Sequence, residues 1–178
     1  VKFAQSAGIT AFVFDYALAP ERPYPAALED AVAAYTHLLA RGLAPQHIAF
    51  MGDSGGGNLC LATLLALRER GLPLPAGAVT LSAWTDLSNS GDSWSSNAER
   101  DRLCWRDAQT VFARLYADEH DVRDPLISPL FGELAGLPPL LLVAGGDETL
   151  RDDSTRFAER ARAAGVDVSL RIGEGLFH

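Results

Sequence analysis

The sequence predicts an α/β fold, a mostly parallel sheet flanked by helices, on three observations. Short apolar runs alternate with amphipathic runs along most of the chain. Two of the apolar runs, 78–82 and 140–144, are unbroken, as in strands covered on both faces. Glycines close the amphipathic runs, at Gly42, Gly71 and Gly165. Repetition of strand, helix and strand implies parallel strands joined by crossovers.

Taken in order, residues 2–7 read as the last turns of a helix closed by Gly8. Residues 9–15 (ITAFVFD) are β-branched and aromatic, hence a strand. A helix over 25–41 follows, with Leu28, Val32, Tyr35 and Leu39 at helical spacing. Residues 48–51 make the next strand and 58–70 the next helix. After the strand at 78–82 the rhythm breaks. Residues 83–138 hold one clear helix, at 106–117, among Pro-, Ser- and Asn-rich connections, and an insertion of this size suits a lid or binding wall. The strand at 140–144 leads to a helix at 152–164, with Asp152, Asp153 and Ser154 suited to capping its start. Residues 166–172 alternate apolar with polar, as expected of a strand near a sheet edge.

A chain of 178 residues is a one-domain length. The net charge of −8, with no basic stripe, excludes nucleic acid as a partner. Cys60 and Cys104 match no metal-ligand spacing, and nothing requires an oxidising compartment, so a cytoplasmic protein without metal is expected. No apolar run is long enough for a membrane span. The sequence starts at Val1 and stops one residue past Phe177, which leads us to expect a fragment of a longer domain.

The stretch GDSGGGN, residues 52–58, admits three chemistries. A phosphate loop needs Gly-Lys-Ser/Thr, whereas Asn58 and Leu59 follow the glycines; a dinucleotide loop needs a third glycine where Cys60 stands. A trypsin-like site places His and Asp before Ser, but His37 lies within an amphipathic helix and His47 in a polar turn. A nucleophile elbow needs a strand, a sharp turn bearing Ser, and a helix, and residues 48–70 supply them in that order. Gly52 and Gly56 then serve to avoid collisions in the turn, and the Gly55 N–H is aimed at developing negative charge.

A serine hydroxyl needs a base, and the base needs an acid to orient it. In the hydrolase order the acid and then the histidine follow the serine. His120 falls in a charged turn, whereas His178 follows the last strand through Gly173–Glu174–Gly175. Asp147 stands directly after the strand at 140–144 and two glycines, at the edge where parallel sheets keep their chemistry, with Glu148 the nearest rival.

These residues resemble the hormone-sensitive-lipase-like branch of the α/β-hydrolases, which includes bacterial carboxylesterases. DYALAPERPYPAALEDA (15–31) is similar to the family's Tyr-Arg-Leu-Ala-Pro-Glu segment, and GDSGGG to its elbow. DPLISPL (124–130), GGDETLRDDS (145–154) and GLFH (175–178) are similar to its later motifs, in family order. The resemblance implies Ser54 as nucleophile, Asp147 as orienting acid, His178 as base and the Gly55 N–H as one oxyanion donor. It implies a cofactor-free serine esterase of short-chain acyl esters, with amide or lactone hydrolysis, or a catalytically impaired binding homologue, as alternatives. By family analogy a homodimer through the edge at 166–172 is also expected. Trp84 and Phe131, with Trp94 and Trp105, are candidates to wall an acyl pocket or simply to pack a small lid. Two departures stand out. Ala17 replaces the family's arginine, and the His-Gly-Gly-Gly oxyanion loop, expected upstream of Ile9 together with the first strands and the N-terminal part of the cap, has no counterpart in these residues.

Overall fold

Four parallel strands pair in sequence order: β1 (Ala49–Asp53), β2 (Gly77–Leu81), β3 (Leu140–Gly145) and β4 (Val168–Gly173). They belong to a computed structural model of the chain, which describes residues 2–178. Register aligns Phe50, Ala78, Leu140 and Val168 in one row across the sheet, and Gly52, Thr80, Leu142 and Leu170 in the next. Because side chains alternate between faces, both rows point to the same side. The helices in chain order are α1 (Lys2–Ala7), α2 (Ala26–Ala40), α3 (Ser54–Glu69), α4 (Ser93–Ser96), α5 (Arg106–Ala117) and α6 (Arg151–Ala163). Of these, α3 lies against β1 and β2, and α6 lies against β3 and β4.

The main core is where those two helices meet the strand rows: Leu61, Leu64 and Leu65 of α3 with Ala78, Leu140, Leu142, Phe157, Ala158 and Ala161. Phe157 is fully buried, which contributes about 1.5–3 kcal/mol. The outer side of α3 is apolar too, because α2 packs on it through Leu28, Val32 and Tyr35. A helix held between a sheet and a second helix has no polar face to show, and α3 is buried from Gly57 to Leu67 almost without a break. The segment between β2 and β3 has its own small core of Trp84, Leu87, Trp94, Cys104 and Ile127, joined by Leu150 from just before α6.

One predicted strand does not form. Residues 9–15 are irregular, with Phe12 and Val13 exposed. Their composition favours an extended chain, but a strand also needs a neighbour to receive its amides, and none of the described strands lies beside it. The helix expected at 58–70 begins four residues earlier, directly at Ser54. Three glycines are poor helix formers, and tertiary packing overrides that preference here. Asp152, Asp153 and Ser154 do not cap α6, whose N-terminal cap makes no side-chain hydrogen bond. Asp152 and Asp153 reach across instead, accepting from the Ser93 and Asp86 amides, each at 2.8 Å, and so fasten the 83–138 segment to α6. The edge position of β4 agrees with its alternating pattern, and Gly8 closes α1 with φ +65°. No helix among the described residues is long and apolar enough to cross a membrane.

Candidate active site

Ser54, Asp147, Glu148 and His178 sit beyond the carboxyl ends of strands, the edge at which parallel sheets bind and react. Ser54 follows β1 and opens α3 with φ +51°, a left-handed backbone that a non-glycine residue rarely adopts. The turn is tight enough that a Cβ at Gly52 would overlap the Gly56 carbonyl and come within 2.9 Å of the Cys60 sulfur. Gly56 itself has room, its nearest neighbour being Asp53 Oδ1 at 4.0 Å. The second crowded position is Gly57, where a Cβ would lie 2.8 Å from that of Ala83. The sequence expectation for Gly52 therefore holds sterically, and that for Gly56 does not. Starting α3 at Ser54 leaves the Gly55 amide in a first turn without a backbone acceptor one turn back.

The histidine arrives on the loop after β4. Gly146 N–H donates to Gly173 O at 2.8 Å and Asp147 N–H to Leu176 O at 2.9 Å, so this loop is laid against the turn that follows β3. Contact is so close that a Cβ at Gly145 would overlap the Leu176 carbonyl. In that position His178 Nδ1 lies 3.0 Å from Glu148 Oε2. The other Glu148 oxygen accepts from Ser82 Oγ at 2.7 Å and from the Gly145 N–H. Glu148 is 1% exposed, with each carboxylate oxygen occupied. The Cys104 side chain and the Glu148 carboxylate beside the ring push the His178 pKa up to about 10 against the opposing effect of burial.

Asp147, the expected acid, points elsewhere. Its carboxylate faces Arg100 at 3.3 Å, and its side chain is 32% exposed. The backbone here directs Glu148 to the histidine and Asp147 to Arg100 at the surface. The sequence reading undervalued Glu148 because it credited the residue nearest the strand. Three further groups were missed. Asn97 donates through Nδ2 to the carbonyls of Gly146 and Glu148, at 3.1 and 2.9 Å. Asp101 accepts from the Thr149 N–H and hydroxyl, and Ser93 donates to the Thr149 carbonyl at 2.6 Å. All three are buried, and together they clamp the loop that carries Glu148. Read as sequence they are ordinary polar loop residues.

Beside Gly55 opens a cavity of about 230 Å³, lined by Tyr16, Ala17, Trp84, Leu87, Phe112 and Tyr116 among others. Trp84 lines this cavity, whereas Phe131 lies outside it, packed on the main core with Arg123 over its ring at 4.2 Å. Trp94 is buried in the core of the 83–138 segment and Trp105 is exposed, and neither lines the cavity. Ala17, the residue in place of the arginine, contributes to this apolar wall. His120 has its Nδ1 3.1 Å from the Ala117 carbonyl and its ring against Tyr24. Among the described residues no cluster of His, Cys, Asp and Glu has the makings of a metal site.

Comparison with known proteins bears on the fold that carries these residues. The alpha/beta hydrolase fold model matches residues 1–178. The chain belongs to the alpha/beta hydrolase fold family. This hydrolase-fold chain is 42% identical over 173 residues to an acetyl-hydrolase of Streptomyces hygroscopicus, a match covering 97% of the chain and 58% of that protein. It is 39% identical over 165 residues to an esterase of Acinetobacter venetianus, covering 92% and 54%. Among solved structures, an esterase from the bacterial hormone-sensitive lipase family superposes with a TM-score of 0.97 at 47% identity, over 98% of this chain and 59% of that one. The chain thus spans less than two thirds of the length of these relatives. The hormone-sensitive-lipase resemblance read from the motifs stands.

Proposed function

We propose that this chain carries the catalytic relay of a serine esterase, with Ser54 as nucleophile, His178 as base and Glu148, not Asp147, as the orienting acid. The observation that carries the reading is the 3.0 Å contact of His178 Nδ1 with the buried Glu148 carboxylate, beside an elbow serine. With Nδ1–H committed to Glu148, Nε2 is the ring nitrogen left to act as base on the Ser54 hydroxyl. Ser54 Oγ attacks the ester carbonyl while Nε2 takes its proton. The same proton passes to the departing alkoxide, which leaves as the alcohol. Water, deprotonated by Nε2, then attacks the acyl-enzyme and releases the acid. The Gly55 N–H is one donor to the oxyanion.

Acyl groups enter the cavity beside Gly55. At about 230 Å³ it is smaller than the roughly 300–1,000 Å³ of sites for drug-sized ligands, which supports short acyl chains. Trp84 and Phe112 form its walls, and the 83–138 segment serves as the binding wall of the site. The printed names of the relatives, acetyl-hydrolase and esterase, support the same reaction class. Mixing the chain with p-nitrophenyl acetate, quenching in acid and mapping the adduct by mass spectrometry tests it. An acetyl group on Ser54, absent from Ser54→Ala, is the expected outcome; an adduct that survives in Ser54→Ala sinks the assignment.

A further inference from the structure

Ser82 stands one residue past β2 with φ +51°, the same left-handed backbone as Ser54 past the adjacent strand β1. Glycine adopts that conformation without strain, so the hydroxyl is what serine adds at this position. That hydroxyl donates to Glu148 Oε1 at 2.7 Å, while the Ser82 amide donates to the Val143 carbonyl at 2.7 Å. Two residues on, the Trp84 N–H donates to the Ser54 carbonyl at 3.2 Å, and Ala83 between them packs against Gly57. Residues 82–84 therefore touch both ends of the relay. A glutamate has one more torsion to fix than an aspartate, and a carboxylate held only at its histidine end can swing.

We propose that Ser82 is a positioning residue for the acid–base pair, its hydroxyl locking the Glu148 carboxylate in the plane that His178 needs, with the turn at 82–84 setting the separation of that pair from Ser54. It rests on the reading of Glu148 as the acid. The Gly145 N–H shares Oε1 but comes from the end of β3, the strand whose own turn carries Glu148, so it ties the carboxylate only to that strand. Ser82 is the donor that ties Glu148 to a neighbouring strand.

The test compares the chain with Ser82→Ala, Ser82→Gly, Glu148→Gln and Asp147→Asn. Two readouts are taken: the far-downfield NMR signal of the His178 Nδ1 proton and the rate of labelling by a fluorophosphonate. Ser82→Gly suits the local backbone, so it serves if Ser82→Ala folds poorly; unchanged far-ultraviolet circular dichroism certifies each variant. Both Ser82 variants should broaden or lose the downfield signal and slow labelling by roughly 10- to 10²-fold at saturating probe, the size expected of a misplaced catalytic group, with the half-saturating concentration unchanged. Asp147→Asn should keep the signal. A signal and rate retained in both Ser82 variants but lost in Glu148→Gln overturn the role of Ser82 and leave the acid assignment standing. A signal retained in Glu148→Gln overturns both.

Discussion

Replacing Gly52 by alanine drives a methyl group into the Gly56 carbonyl and towards the Cys60 sulfur. The sulfur lies at the end of a side chain and can give way; the carbonyl belongs to the first turn of α3 and cannot move without the helix. Overpacking typically destabilises by about 1–3 kcal/mol, and a collision with backbone belongs at the upper end, about 3 kcal/mol. For a chain of this length each kcal/mol lowers the melting temperature by about 2–4 °C, so Gly52→Ala should melt about 6–12 °C below the parent. Gly56→Ala is the matched control, because its Cβ meets only Asp53 Oδ1 at 4.0 Å and it lies inside α3. Alanine is the better helix former by about 0.5–1 kcal/mol, so this variant should melt at or slightly above the parent. Thermal unfolding followed by circular dichroism reads both. Equal melting temperatures for the two variants, or the reverse order, would refute the account of the elbow as a turn closed by the approach of residue 52 to residue 56.

Three further outcomes follow from the site. With its pKa raised from 6.5 to about 10, His178 is protonated at neutral pH, so labelling of Ser54 should climb about tenfold per pH unit from 7 and level off near 10; a plateau already reached at pH 7.5 would contradict this. The stability that the charged histidine contributes is fully present below 6.5 and is lost as pH rises through about 10, which a melting series against pH will show. Phe112→Ala should enlarge the cavity and shift preference among p-nitrophenyl esters towards longer acyl chains, whereas Phe131→Leu should leave the preference alone, since that ring lies outside the cavity.

What the sequence disclosed and what it withheld divide along a physical line. The path from β1 through the elbow into α3 was legible because a strand, a glycine turn and an apolar helix are written in consecutive residues. That residues 147 and 148 follow one strand and His178 another was legible because each strand and its turn are contiguous, as was the edge character of β4. Residues 9–15 misled because strand composition is local while a ladder partner is not. The choice between Asp147 and Glu148 depends on which way the chain turns after β3, and that turn is set by Asn97, Asp101 and Ser93 from some 50 residues upstream. Asp153 looked like a helix cap, yet it is fully buried, and burial pushes its carboxyl well above the usual range. Its role is to receive the Asp86 amide, a long-range bond that no local pattern announces.

The central claim is that Glu148, not Asp147, works with His178 on Ser54, and the rate of Ser54 labelling by a fluorophosphonate in the two isosteric variants tests it most directly. The exposed Arg100–Asp147 pair contributes roughly 0–1 kcal/mol, so Asp147→Asn should label within a few-fold of the parent. Glu148→Gln leaves the shape but not the charge, and should slow labelling by about 10⁴-fold, the scale of losing the acid from such a triad. A crippled Asp147→Asn beside a competent Glu148→Gln would contradict the account.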